Sequence, residues 1–194
     1  MIGQNLDLLQ QVAILEQILR ENHALFSTIE KAQNLGLTDY YIGAGCIAQT
    51  VWNHQLGRPP MNGISDVDFA YWDGDLSEAA ESFVISRVES SLSPGILLDV
   101  KNEARVHLWY RRHFGVDIAP YSSLEDAINT WPTTATCVGV RLEGDHLRVY
   151  APYGLNDLFG MIVRANKTQI TEDIYREKTR KWVSRWPELT VIPW

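Results

Sequence analysis

Cysteine is scarce in this chain: Cys46 and Cys137 are the only two, far apart and without metal-ligand spacing. That argues against a zinc framework or a disulfide-dense scaffold. Two thiols in a reducing cytoplasm are the simpler expectation, with one disulfide between them as the alternative. No apolar run reaches the ~18 residues of a membrane-spanning helix, so a soluble protein is expected. The opening "MIGQNLDLLQQ" lacks the basic start and apolar stretch of a secretory signal, which points to a cytoplasmic location. Positive charge is also in short supply, with 17 Lys and Arg against 24 Asp and Glu and a net charge of −7. This balance speaks against a long nucleic-acid footprint, which needs clustered cations, but not against a single nucleotide. Internal repeats, low-complexity tracts and long linkers are missing as well.

What is present suits an α+β fold. The 194 residues are 45% hydrophobic, enough for a sizeable core. Leu8, Val12, Leu15 and Leu19 mark one face of a helix over 5–21, and "ALFSTIEKAQNLG" predicts a second helix ending near Gly36. "DYYIGAG" reads as a buried strand entering a glycine turn. "CIAQTVWNHQLG" reads as a helix stopped at Gly57, with Pro59 and Pro60 preventing its continuation. "DVDFAYW" alternates as a strand, with Val67, Phe69 and Tyr71 on one face. "LSEAAESFVISRVESSL" is helical, Pro94-Gly95 marks the next turn, and "ILLDVKN" is a further strand in which Ile96, Leu98 and Val100 alternate with Leu97, Asp99 and Lys101. A helix over "ARVHLWYRRHFG" and a short one around "SSLEDAINTW" follow. A hairpin of "ATCVGVRLEG" and "HLRVYAP" turns at Gly144-Asp145, and helices over 155–165 and 171–186 close the chain. Together these predict a small mixed sheet with helices mainly on one face. Of the seven tryptophans, Trp182, Trp186 and Trp194 are expected to anchor the last helix and tail.

The chemistry concentrates in "ISDVDFAYWDGDL", with four aspartates in ten residues. Side chains two apart on a strand share a face, so Asp66 and Asp68 stand together while Val67 and Phe69 enter the core. Paired carboxylates repel unless a cation lies between them, and hard divalent ions prefer oxygen ligands. The competing reading makes Asp66 a turn residue beside an exposed strand face. Asp73, next to Gly74, belongs to the turn, and Asp75 is expected to cap the next helix with Glu78 in a capping box. Asp99 lies in an otherwise apolar strand, where an unpaired carboxylate is costly. It either completes a three-carboxylate cluster, with Lys101 beside it for a phosphate, or forms a surface pair with Lys101. In "YIGAGCIAQTVW", Gly43 and Gly45 open a helix whose first N–H groups can face an anion. A packing turn is the bland alternative, and neither a full Gly-x-Gly-x-x-Gly fingerprint nor a P-loop is present.

In this order, "GAGC", "SDVDF" and "LLDVK" resemble the DNA polymerase β-like nucleotidyltransferase superfamily, with its glycine turn, Asp-x-Asp strand and third acidic strand residue. More narrowly, the chain resembles a bacterial nucleotidyltransferase-like family along most of its length, including "DVKNEARVHLWY" and "GLNDLFGMIVR". The resemblance implies one nucleotidyltransferase-like domain over 1–194, with N-terminal helices over 1–36, a catalytic core over 39–120 and a C-terminal hairpin and helices over 121–194. It implies transfer of an NMP from an NTP, such as ATP, to a hydroxyl-bearing acceptor, with Mg²⁺ or alternatively Mn²⁺ as cofactor. Asp66, Asp68 and Asp99 would be the catalytic metal ligands, and Gly43, Ala44, Gly45 and Cys46 would hold the triphosphate. The acceptor is expected to be a small molecule or protein rather than a long nucleic acid. The chain departs from the pattern at Ala44 and Cys46, where relatives often carry serine. That departure keeps open a degenerate nucleotide-binding module or a toxin–antitoxin-like interaction protein; a phosphodiesterase using the same carboxylates is a further alternative.

Lys101, Arg105 and, from the loop "QLGRPPMNGI", Arg58 are further candidates for phosphate contact. His107 reads as a packing residue, Arg111 and Arg112 as a solvated face, and Asp157 as a helix-start residue. Cys46 has no Cys-His-Asn context that would make it a nucleophile. "TEDIYREKTRKW" runs from acidic to basic residues, as the helix dipole favours, and reads as a solvated helix.

Overall fold

A computed structural model describes residues 1–92, 95 and 97–194; the expected turn residue Pro94 and strand start Ile96 lie outside the described residues. Helices α1 (Leu8–Glu21) and α2 (His23–Ala32) come first, then strand β1 (Tyr40–Gly43), α3 (Gly45–Gln55), β2 (Asp66–Tyr71), α4 (Glu78–Leu92) and β3 (Leu97–Asn102). After a 3₁₀ turn over Glu103–Arg105 come α5 (Val106–Phe114), α6 (Leu124–Ile128), β4 (Gly139–Glu143), β5 (His146–Tyr150), α7 (Asn156–Phe159), β6 (Ile162–Val163), α8 (Glu172–Arg185) and β7 (Thr190–Val191). Five strands form one mixed sheet in the order β3-β2-β1-β4-β5. β2 and β3 are parallel, and β1 is antiparallel to both β2 and β4.

Strand alternation sorts the sheet into two unequal faces. Tyr40, Ile42, Val67, Phe69, Tyr71, Leu98, Val100, Val140 and Leu142 enter the large core, together with side chains from α1 to α4. The opposite face has a much smaller cluster, in which Tyr41 and Ala70 are covered by Leu124 and Ile128 of α6. Asp66, Asp68, Asp99 and Lys101 belong to this second, partly open face. The main core therefore stiffens the strands from behind and leaves their polar side chains free in front.

Helix α1 forms, but its buried face is rotated from the expected one. Leu15 and Leu19 are buried, as are Gln11 and Ile18, whereas Leu8 is exposed. Gln11 can be inward because its amide donates to Gly3 O and to Asn156 Oδ1. The helix expected over 155–165 is a single turn, α7. Gly160 follows it and Met161 has φ 54°, so the chain leaves the helix and forms β6 against β7. The cap of α4 is also displaced: Asp75 accepts from Ser77 N in a local turn, and Ser77 Oγ accepts from Ala80 N as the helix cap. The tryptophans behave as anchors, with Trp52 edge-on to Trp182 and Trp186, and Trp186 Nε1 donating to Asn53 Oδ1 at 2.8 Å. Both thiols are free and buried.

Gly43 is needed for close approach. A Cβ there would lie 2.4 Å from Val138 O and 2.8 Å from the Trp131 ring, and the backbone oxygen cannot swing aside. Gly43→Ala is therefore expected to destabilise the fold by about 1–3 kcal/mol, lowering Tm by about 2–4 °C per kcal/mol. Thermal denaturation followed by circular dichroism checks this, and an unchanged Tm would show that β1 and Trp131 are not tightly packed.

Candidate active site

The site begins with strand register. Parallel pairing sets Asp68 directly across from Asp99, and antiparallel pairing sets Gly43 across from Asp68. Asp66 is two residues before Asp68 on the same face. As a result, one carboxylate oxygen from each of Asp66, Asp68 and Asp99 lies within 4.8 Å of the others. The surface-strand reading of Asp66 is thus replaced by a clustered one. Lys101, two residues after Asp99 on the same face, forms an ion pair with its carboxylate. Ser65 Oγ donates to Asp66 Oδ1 at 2.6 Å and orients it.

Burial makes this cluster electrostatically costly. The carboxyl of Asp68 is pushed up to about 6, chiefly by desolvation and further by Asp66 and Asp99, with Lys101 and Lys178 opposing the shift. Three oxygen-donor side chains in this arrangement could hold a hard divalent cation.

The glycine turn adjoins the cluster. Ala44 has φ 55° and ψ −124°, a conformation that favours glycine, and its N–H donates to Val138 O at 2.9 Å. Helix α3 starts at Gly45 with no side-chain cap, so its first N–H groups remain for another acceptor. A Cβ on Gly45 would lie 3.9 Å from Asp68 Oδ2, which locates this helix start beside the carboxylates. Both Ala44 and Gly45 line the cavity, of about 590 Å³, that contains the triad. Gly43 is instead occupied in packing beneath Trp131.

Three other candidates from the sequence are engaged elsewhere. Cys46 is fully buried and its thiol donates to Gly43 O at 3.0 Å, while burial holds it well above the usual thiol range. Arg58 donates to Arg185 O at 2.6 Å and to Glu188 at 2.7 Å, tying the "QLGRPPMNGI" loop to the end of α8 rather than lining the cavity. Arg105 is buried, donates to Leu76 O and pairs with Glu81, joining the start of α4 to the end of β3.

Other cavity residues escaped the sequence reading. The last helix is not a purely solvated surface: Lys178, Lys181 and Arg185 of α8 line the cavity, at the spacing of one helix face. Lys181 pairs with Glu177 at 2.7 Å and Arg185 donates to Gly63 O at 2.6 Å; among the described residues Lys178 has no such partner. Glu103 also lines the cavity and is only 7% exposed. Desolvation pushes its carboxyl up to about 7; Lys101 opposes the shift, and Asp68 and Asp99 add to it. Its parity with Asp99 and Lys101 was a usable signal, obscured because the strand ends at Asn102. Trp109, Tyr121 and Trp131 form half-buried aromatic parts of the wall. Tyr121 Oη is fixed between Thr130 Oγ1 at 2.9 Å and Gln169 Oε1 at 3.0 Å.

Comparison with known proteins agrees with this architecture. Solved structures with a similar fold include an NMR structure described as revealing a CCA-adding enzyme head domain. It has a TM-score of 0.76 and 24% identity, over 93% of this chain and 95% of that one. A tRNA-processing enzyme in an apo form aligns with a TM-score of 0.46 and 18% identity, over 85% of this chain and 44% of that one. A search of curated proteins gives no significant match. The family model described as nucleotidyltransferase matches residues 30–191, a span that includes the glycine turn and all three aspartates. The chain belongs to this nucleotidyltransferase family.

Proposed function

We propose that the protein transfers an NMP from an NTP to a hydroxyl-bearing acceptor, using Asp66, Asp68 and Asp99 as ligands for Mg²⁺ or Mn²⁺. The observation that carries this reading is the convergence of the three carboxylates beside an uncapped helix start. A bound divalent cation would neutralise triphosphate charge and favour ionisation of the acceptor hydroxyl. The donor set fits such an ion because all three groups offer hard oxygen ligands and their mutual repulsion is only partly offset by Lys101 and Lys178.

The remaining residues have distinct roles in this reading. The uncapped N–H groups at the start of α3, that of Gly45 first, face the phosphates at the positive end of the helix, while Ala44, whose own N–H is held by Val138 O, shapes the turn that leads into it. Lys178 and Lys101 supply positive charge beside the carboxylates; Lys101 exchanges part of its pairing with Asp99 for phosphate. Cys46 contributes through the helix backbone, its thiol being directed into the protein. Arg58 and Arg105 support the loops around the site. The net charge of −7 and a cavity of about 590 Å³ suit a small-molecule or protein acceptor better than a long nucleic acid. The intact triad favours transfer over a degenerate binding module.

Asp68 provides a test of the metal site that is independent of turnover. Its folded-state pKa is raised, so its stabilising contribution is present at low pH and is lost as pH rises from about 4 through about 6. At about pH 8 without metal, Asp68→Asn is expected to be more stable than wild type by on the order of 1–3 kcal/mol. Millimolar Mg²⁺ should raise the wild-type Tm and leave the variant nearly unchanged. Equal Mg²⁺ stabilisation of both proteins would refute the assignment of Asp68 as a ligand.

Activity is checked by incubating the protein with each α-labelled NTP, Mg²⁺ and cell extract or defined acceptors. Label transfer by wild type and its loss by at least about 10²-fold in Asp68→Ala are expected. Product formed equally well by the variant would overturn the proposed chemistry.

A further inference from the structure

The cavity has walls of two chemical kinds. Cations from α8 and the uncapped start of α3 suit phosphate, but Trp109, Tyr121 and Trp131 present half-buried aromatic surface. Among these elements lies Glu103, 7% exposed and without a hydrogen-bond partner for its side chain among the described residues. The contrast with the nearby Glu81 is informative, because that carboxylate is satisfied by Arg105 and by the N–H of Asn102. The Glu103 oxygens are not fully enclosed, so they open to the cavity, where a bound donor can take the place of water.

Aromatic rings beside a mostly buried carboxyl form a recognisable combination. Planar bases stack on such rings whatever their identity, and a carboxylate distinguishes among them by accepting from an exocyclic amino group. The fixed Tyr121 hydroxyl, held by Thr130 and Gln169, keeps one ring in place before any ligand arrives. Resting on the nucleotidyl-transfer reading for the presence of a nucleotide, we infer that this part of the cavity is a nucleobase subsite in which Glu103 reads the base edge and selects amino-bearing bases over uracil. The base belongs either to the NTP or to a nucleotide at the end of the acceptor; the chemistry of recognition is the same.

The test uses binding, so that it stands apart from catalysis. Non-hydrolysable analogues of ATP, GTP, CTP and UTP, tripolyphosphate, and dinucleotides with a free 3′-hydroxyl are titrated with Mg²⁺ into the full chain by calorimetry. At least one amino-bearing base should bind wild type about tenfold more tightly than its uracil counterpart. Glu103→Gln, whose amide both donates and accepts, should narrow that ratio to about threefold or less without weakening tripolyphosphate binding, since it removes a negative charge from the cavity. Trp109→Ala should weaken base-containing ligands and spare tripolyphosphate. A preference seen with the triphosphates assigns the base to the NTP, and one seen only with the dinucleotides assigns it to the acceptor. Equal affinity for all bases in wild type, or an equal loss of tripolyphosphate binding in Glu103→Gln, would overturn the subsite. Base-selective binding without label transfer would leave the subsite standing and reject the transfer reading; transfer with no base preference in binding would do the reverse.

Discussion

The repulsion among three carboxylates on one sheet face is the constraint around which the rest of the site is organised. Asp66 and Asp68 are brought together by the pleat of a single strand, but Asp99 joins them only because β3 lies parallel to β2 in a register that opposes it to Asp68. Holding like charges together in a partly desolvated setting requires strands that cannot slip. Val67 and Phe69 in β2 and Leu98 and Val100 in β3 provide that rigidity from the reverse face. A register shift by one residue would turn the apolar side chains outward, so the same packing that forms the core fixes the carboxylates.

The glycine turn depends on the same frame. Gly43 pairs with Asp68 and accepts the Trp131 ring at a distance no side chain would allow, while Ala44 takes a backbone conformation uncommon for an L-residue. These features place the start of α3 next to the acidic cluster. A positive helix end, a cationic α8 and three carboxylates thus occur around one cavity, and each makes the others less costly.

Much of this was legible in the sequence. The alternation through "DVDFAYW" gave the strand and the shared face of Asp66 and Asp68, and the "GAGC" turn identified the following helix. Asp99 could be proposed because a carboxylate interrupts an apolar strand. Less accessible were side chains whose roles depend on distant packing. Arg58 and Arg105 have the chemistry of phosphate ligands but are committed to Glu188 and Glu81. Conversely, Lys178 sits in a helix with the pattern of a solvated surface, yet it reaches the cavity because Trp182 and Trp186 pack beside Trp52. The helix expected through 155–165 failed where Gly160 and the positive φ of Met161 allowed a strand instead.

By itself, then, the sequence determined the local order of this protein: where strands alternate, where glycine breaks them, and which carboxylates are neighbours along the chain. Those outcomes follow from backbone geometry and side-chain periodicity within a few residues. Only the tertiary structure decided that Asp99 faces Asp68, that Glu103 is buried at the cavity wall, and that α8 turns a row of cations toward the triad. These depend on strand partner, register and helix docking, which are set by the burial of apolar surface far from the residues concerned.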